Sequence, residues 1–294
     1  MSAVGLPTLF TPLLVCVALS GLLPLVHRRL QPRISAAVFA ANVLWISVVS
    51  LLGIWFVSLR YLTHIGWLVE FIPWCSSMHG THAPVPGWVG FPALLAAVVG
   101  ALRFRRFGSM QKTLRRAKVS GVSVVASDEV FAYVLPGRNS PTLISTGLLT
   151  RLNADECSVV LAHEKAHADF RHDRFLTFAR GAEILVPFIR PLTKRLAFSL
   201  ERWADDVAAS AVSGDRRLVA LTIAKVALLM PRGLNPALSF SGLGEAARIR
   251  YLLHPSKPLR SLTGAALATS SIGLGFALYQ LHHFEALLGT LCHP

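Results

Sequence analysis

Charge is what this chain has least of. Only 15% of its 294 residues are Asp, Glu, Lys or Arg, while 53% are hydrophobic and the mean hydropathy is +0.54. Soluble domains carry about 25% charged residues, so an ordinary water-soluble globule is the first class excluded. Cysteine is scarce too. Cys16, Cys75, Cys157 and Cys292 are too few for a disulfide framework, and Cys157 falls in a segment expected to face a reducing compartment. Cys75 and Cys292 are both expected outside, where they can pair. The net charge of +14 raises nucleic acid as a partner. No base-reading motif is present, and the basic residues sit beside apolar runs, where topology and anionic lipid account for them. No direct nucleic-acid binding is expected.

What is present is a set of long uncharged stretches. Residues 6–26, 34–59 and 261–284 contain no Asp, Glu, Lys or Arg, and a third stretch, 80–102, is equally free of charge. About 20 helical residues cross a hydrocarbon core of roughly 30 Å, so four transmembrane helices are expected. The first has no basic residues ahead of it, and the cluster His27-Arg28-Arg29 follows it, which reads as a retained helix rather than a cleaved signal. Arg28, Arg29 and Arg33 lie after the first run, and the linker 103–118 holds seven Lys and Arg; the loop after Arg60 is poor in both. The basic side faces the cytoplasm. Both termini are then outside a plasma membrane, with a short tail at 285–294, and residues 119–260 form a cytoplasmic domain.

That domain opens with β-like segments, Val122–Ala126, Val130–Leu135 and Thr142–Thr146, separated by turn formers. A small antiparallel sheet is expected, with Leu143–Thr146 able to pair with an extended peptide. Helical pattern begins at Asn153, whose side chain can cap a helix together with Glu156, and runs to near Arg180. A second helix is expected from Thr193 to Ser213, ended by Gly214, and a third from Arg217 to Met230. Between the first two, Ile184–Leu192 carries two prolines and is too short to span; it lies on the membrane surface or against the sheet.

On the first of these helices stands His163-Glu164-Lys165-Ala166-His167, an H-E-x-x-H pattern. Positions i and i+4 share a face, so both imidazoles can bind one Zn²⁺, with Glu164 placed to take a proton from an attacking water. Catalytic zinc keeps three protein ligands. Glu201, in Glu201-Arg-Trp-Ala-Asp205, can be the third, and Asp205 one turn on can accept the N–H of His163. His172 and Asp173 read as a helix-end salt bridge, with binding of substrate or a transition-state oxyanion as the alternative. Tyr251 and His254 are open candidates for an oxyanion donor, and His64, His79 and His82 with Cys75 read as a polar, interfacial loop.

At these residues the chain resembles the gluzincin metallopeptidases. The resemblance runs through Pro136-Gly137, Ile144-Ser-Thr-Gly-Leu-Leu149, Val160-Leu-Ala-His-Glu164, Arg171-His-Asp173 and Glu201 to Asp205, about 70 residues in all. Two membrane families share such a core. HtpX-type proteases usually place hydrophobic segments between the second histidine and the third ligand, whereas only 33 residues separate His167 from Glu201 here. The chain looks more like the BlaR/MecR-type antirepressor peptidases. That resemblance implies an α+β zincin-like domain, one zinc ion on His163, His167 and Glu201, Glu164 as base, and Asp205 behind His163. It also implies a protein substrate, a winged-helix repressor of the BlaI type cut in signal transduction. An HtpX-like quality-control protease is the alternative of the same class. A non-catalytic membrane receptor or scaffold is the alternative of another, against which the intact Glu164 argues.

Overall fold

The computed structural model describes residues 29–62, 85–115, 121–135, 141–229, 244–255 and 260–292, with Ile65 and a few positions before residue 22. The expected first crossing, the outside loop with Cys75 and its histidines, the Cys75–Cys292 pair, Pro136-Gly137 and the end of the linker lie outside the described residues.

Helix α1 (Pro32–Leu62) and helix α2 (Gly87–Arg115) are each long and apolar enough to cross a membrane. Polar side chains inside α1 are satisfied locally: Ser47, Ser50 and Ser58 donate to carbonyls one turn back. Asn42 donates both to Val38 O and, at 3.1 Å, to Ser270 on the C-terminal helix. Such interhelical bonds join helices whose apolar faces alone give no preference in lipid. On α2, Trp88, Phe91, Leu95, Val98 and Leu102 form a stripe facing outward from the protein.

The sheet is mixed rather than antiparallel, in the order β1-β3-β2. Strand β1 (Val122–Val125) runs parallel to β3 (Thr142–Ser145), and β2 (Ala132–Val134) runs antiparallel to it. Strand β3 is the most buried of the three and takes the centre, leaving the more exposed β1 at one edge. Both sides of β3 are occupied, so the expected pairing of Leu143–Thr146 with a peptide is excluded. The edge strands of the described sheet are β1 and β2.

Short helix α3 (Thr146–Leu149) follows β3 at once, because the Ser145 hydroxyl accepts from the Leu148 N–H. Helix α4 (Ala154–Asp169) starts at a complete capping box: Asn153 Oδ1 accepts from Glu156 N–H, and Glu156 accepts from Asn153 N–H, both at 2.8 Å. The expected continuous helix to Arg180 is two helices. Arg171 adopts a left-handed conformation, φ 54°, and α5 (His172–Leu185) leaves in a new direction. A single 3₁₀ turn, Pro187–Ile189, then reverses the chain into α6 (Arg190–Ala211). The prolines of Ile184–Leu192 end one helix and begin the next. This stretch packs on α1 and α2 instead of the sheet: Val186, Ile189, Leu192, Leu196 and Leu200 share a core with Val38, Phe39, Val43 and Ile46.

Helix α6 stops where Ser213 and Gly214 both take positive φ and Gly214 N–H bonds back to Ala209 O. Helices α7 (Arg216–Leu229) and α8 (Gly244–Leu253) close a second core with Val159, Ala208 and Ala209. The fourth expected crossing lies within α9 (Arg260–Cys292), which packs along α1.

Candidate metal centre

Helix α4 presents His163 and His167 one turn apart toward α6, which brings Glu201 over them. The two Nε2 atoms are 3.1 Å apart. Glu201 turns Oε2 to His163 at 3.5 Å and Oε1 to His167 at 3.6 Å. These three residues form the metal-capable group found among the described residues. For ligands about 2.1 Å from a tetrahedral zinc, neighbouring donor atoms stand about 3.4 Å apart. The observed triangle fits that ion, as does the donor set of two imidazoles and a carboxylate.

Each ligand is held from behind. His163 Nδ1 lies 3.1 Å from Asp205 Oδ1, and Asp205 is fully buried. This leaves Nε2 directed at Glu201. His167 Nδ1 lies 2.9 Å from Nδ1 of His172. In a straight helix, a residue five positions on points about 140° away; the break at Arg171 is what folds His172 back onto His167. The expected helix-end role for His172 is therefore wrong. It is fully buried, packed against Phe170 and Trp203, and its Nε2 has no hydrogen-bond partner. Asp173 does face Arg171, at 3.4 Å.

Arg248, from α8, completes the arrangement. Its Nε and Nη2 meet the two oxygens of Asp205 at 2.8 and 2.6 Å, and Nη1 meets Glu201 Oε2 at 2.9 Å. Oε2 of Glu201 thus faces both Arg248 and His163, while Oε1 faces His167. Sequence reasoning missed this residue, because a lone arginine 43 positions after Asp205 carries no spacing signal. Tyr251, weighed as an oxyanion donor, instead donates to Asp206 at 3.0 Å and lies under the Arg202 guanidinium.

The electrostatics follow from this packing. Burial opposes ionisation of Glu201 and Asp205, but the Arg248 cation beside them wins and holds both carboxyls below the usual range. Burial likewise opposes charge on His163, yet its bonds to Asp205 and Glu201 lift it to about 10. Burial lowers His167 to about 4 and His172 to about 3. Glu164 has no such partner among the described residues, and burial raises it to about 7.

A cavity of about 190 Å³ opens onto these groups. Its polar lining includes His163, Glu164, His167, Glu201 and Arg248, and its apolar lining includes Val159, Val219, Ile223 and Val226. Strand β2 forms one wall through Ala132, Tyr133 and Val134. One cavity thus joins the site to a strand edge that no described strand covers.

Residues 108–236 match the model of Peptidase family M48, a family of zinc metallopeptidases. The matched stretch contains the sheet and helices α3 to α7. No curated protein and no solved structure gives a significant match.

Proposed function

We propose, with that match as the premise, that the chain is a membrane-anchored zinc-dependent endopeptidase. The observation that carries the proposal is the triangle of His163, His167 and Glu201, whose edges suit one tetrahedral ion. Zinc held there would supply Lewis acidity, polarising a carbonyl and making water more acidic. Glu164, beside the first ligand and facing the same cavity, would take the proton from the attacking water and pass it to the leaving nitrogen. Asp205 fixes the tautomer of His163, and Arg248 fixes Asp205. An extended peptide would lie along β2, with a side chain entering the cavity against its apolar lining.

Helices α1 and α2 would be the membrane anchors, together with α9 and the segment at 6–26. The basic residues at Arg33 and from Arg103 onward support a cytoplasmic catalytic domain. The substrate would then be a cytoplasmic protein, and the resemblance to antirepressor peptidases points to a winged-helix repressor. A second reading is favoured by a specific observation: α5 and α6 carry the chain between His167 and Glu201 back against α1 and α2. HtpX-type proteases place hydrophobic segments at that point, which supports a role in clearing membrane proteins.

Glu164→Gln in full-length protein tests the activity. It should keep zinc and lose roughly 10²–10⁴-fold in cleavage rate. Unchanged cleavage by this variant would remove the proposed chemistry. The proteins that accumulate uncut in its presence, repressor or membrane protein, separate the two readings.

A further inference from the structure

Helices α5 and α6 form a hairpin that serves the metal centre at one end and does something else at the other. Its depth relative to α1 and α2 can be read from two independent contacts. On α2, a methyl group at Gly100 would meet Leu185 at 3.6 Å, and one at Gly181 would meet Phe104 at 3.2 Å. The helices are therefore antiparallel, and Leu185 sits against the uncharged part of α2, inside Arg103. On α1, Arg202 reaches Leu30 O, and the Ser199 hydroxyl bonds that of Ser35 at 2.8 Å. Helix α6 is antiparallel to α1, so its first residues lie further along the apolar length of α1.

From Ser199 back to Ile189 is ten residues, about 15 Å of helix. Along α2, Leu185 at the end of α5 lies opposite Gly100, about 5 Å past Arg103 by the same rise. The turn between the helices thus sits beyond the basic boundary of both candidate spans, within the cytoplasmic half of a core roughly 30 Å thick.

The side chains at the turn agree with that depth. Val186 and Ile189 are buried against α1, while Pro187, Phe188 and Pro191 are exposed, Phe188 by 53%. The acid of this region, Glu183, is neutralised: Arg190 approaches it at 3.5 Å and Thr193 donates to it at 3.2 Å. Glu183 precedes Leu185, so Arg190 bends back from the turn toward the aqueous side, as a snorkelling arginine does. Lys194 stands on the same return path, where anionic headgroups would meet it.

We propose that the turn of this hairpin, centred on Phe188, is seated in the cytoplasmic leaflet of the bilayer. Lipid occupies its exposed apolar face. The hairpin fastens the metal centre to the membrane plane, so peptide bonds are cut close to the surface. This proposal rests on α1 and α2 being membrane spans, and the test below separates the two.

The full chain, with Cys16, Cys75, Cys157 and Cys292 changed to Ser, receives single cysteines in three variants, Phe188→Cys, Leu95→Cys and Asp155→Cys. Each is placed in phosphatidylcholine–phosphatidylglycerol nanodiscs, which leave both membrane faces open. A permanently charged maleimide should label the position 188 and 95 variants at least about tenfold more slowly than the position 155 variant, since charge is expelled from hydrocarbon. A neutral maleimide should label all three. A fluorophore at position 188 should be quenched by acyl-brominated lipid, and one at position 155 should not. If position 188 reacts like 155 while position 95 stays shielded, the spans stand and the hairpin proposal is overturned. If 95 also reacts like 155, α2 does not span and both fall.

Discussion

Arg248 grips Asp205 through two nearly parallel contacts, Nε to Oδ2 at 2.8 Å and Nη2 to Oδ1 at 2.6 Å. Both groups are buried, and Glu201 shares the same cation at 2.9 Å. Without Arg248, two carboxylates would face each other out of water. Arg248→Met should therefore cost about 3–5 kcal/mol in the metal-free protein. Thermal unfolding in metal-free buffer at pH 7 measures it. The sign with pH is fixed by the lowered carboxyl pKa values: wild-type stabilisation is present above about 4, the ordinary range, and fades as pH falls through the lowered values. The variant should lose most of that acid dependence, and a variant as stable as wild type at pH 7 would refute the clamp.

The proton on His163 makes a separate prediction. Its imidazolium is lifted to about 10, so its contribution to metal-free stability is complete below about 6.5 and disappears as pH rises through about 10. A metal on Nε2 requires the neutral ring. Zinc binding near pH 8 should then release close to one proton, and affinity should rise about tenfold per pH unit until the pH approaches 10. Calorimetry in buffers of different ionisation enthalpy counts the proton. A count near zero would mean that His163 is neutral before the metal arrives.

Much of the candidate site was legible because its signals are local. The i, i+4 spacing of His163 and His167 is a property of one helix, and Asn153 with Glu156 marks where that helix begins. Glu201 and Asp205 repeat the same one-turn relation on α6. What was not legible depends on contacts made across the fold. Arg248 arrives from a helix beyond residues 230–243, and no periodicity links it to Asp205. The break at Arg171 has no glycine or proline to announce it; a charged residue in the left-handed region is a cost accepted because His172 is packed under His167. The parallel placement of β1 beside β3 was hidden because short strands of similar composition give no order. The hairpin turn, by contrast, announced itself through its two prolines, but only the packing on α1 and α2 excluded the sheet as its partner.

His172 is a test of that packing. Its Nδ1 stands 2.9 Å from His167 Nδ1, and groups behind a ligand imidazole typically matter by about 10–100-fold in metal affinity. His172→Phe keeps an aromatic ring against Phe170 and Trp203 and removes the hydrogen-bond partner. Zinc affinity, read by competition with a chromophoric chelator, should fall within that range while the fold, followed by circular dichroism, is retained. Unaltered affinity would reduce His172 to a packing residue.

Gly147 gives the last prediction, because two effects on it oppose each other. It lies in α3, where Ala would favour the helix by about 1 kcal/mol. Yet a methyl group there would run into the Asp128 carbonyl oxygen, and would stand 2.6 Å from Asp128 C and 2.9 Å from Glu129 O. These are backbone atoms and cannot swing aside. The strand β2 follows directly, held through Phe131 N–H to the Ser145 hydroxyl at 3.1 Å. The steric term wins, and Gly147→Ala should destabilise by about 1–3 kcal/mol. Because the displaced segment leads into the β2 wall of the cavity, the variant should also raise KM for peptides more than it lowers kcat. Gly264→Ala on α9, where nothing lies within 4 Å, is the matched control and should be neutral or slightly stabilising. Equal melting temperatures for the two variants would show that residues 128–131 yield freely, and β2 could not then be the fixed edge on which a peptide is aligned.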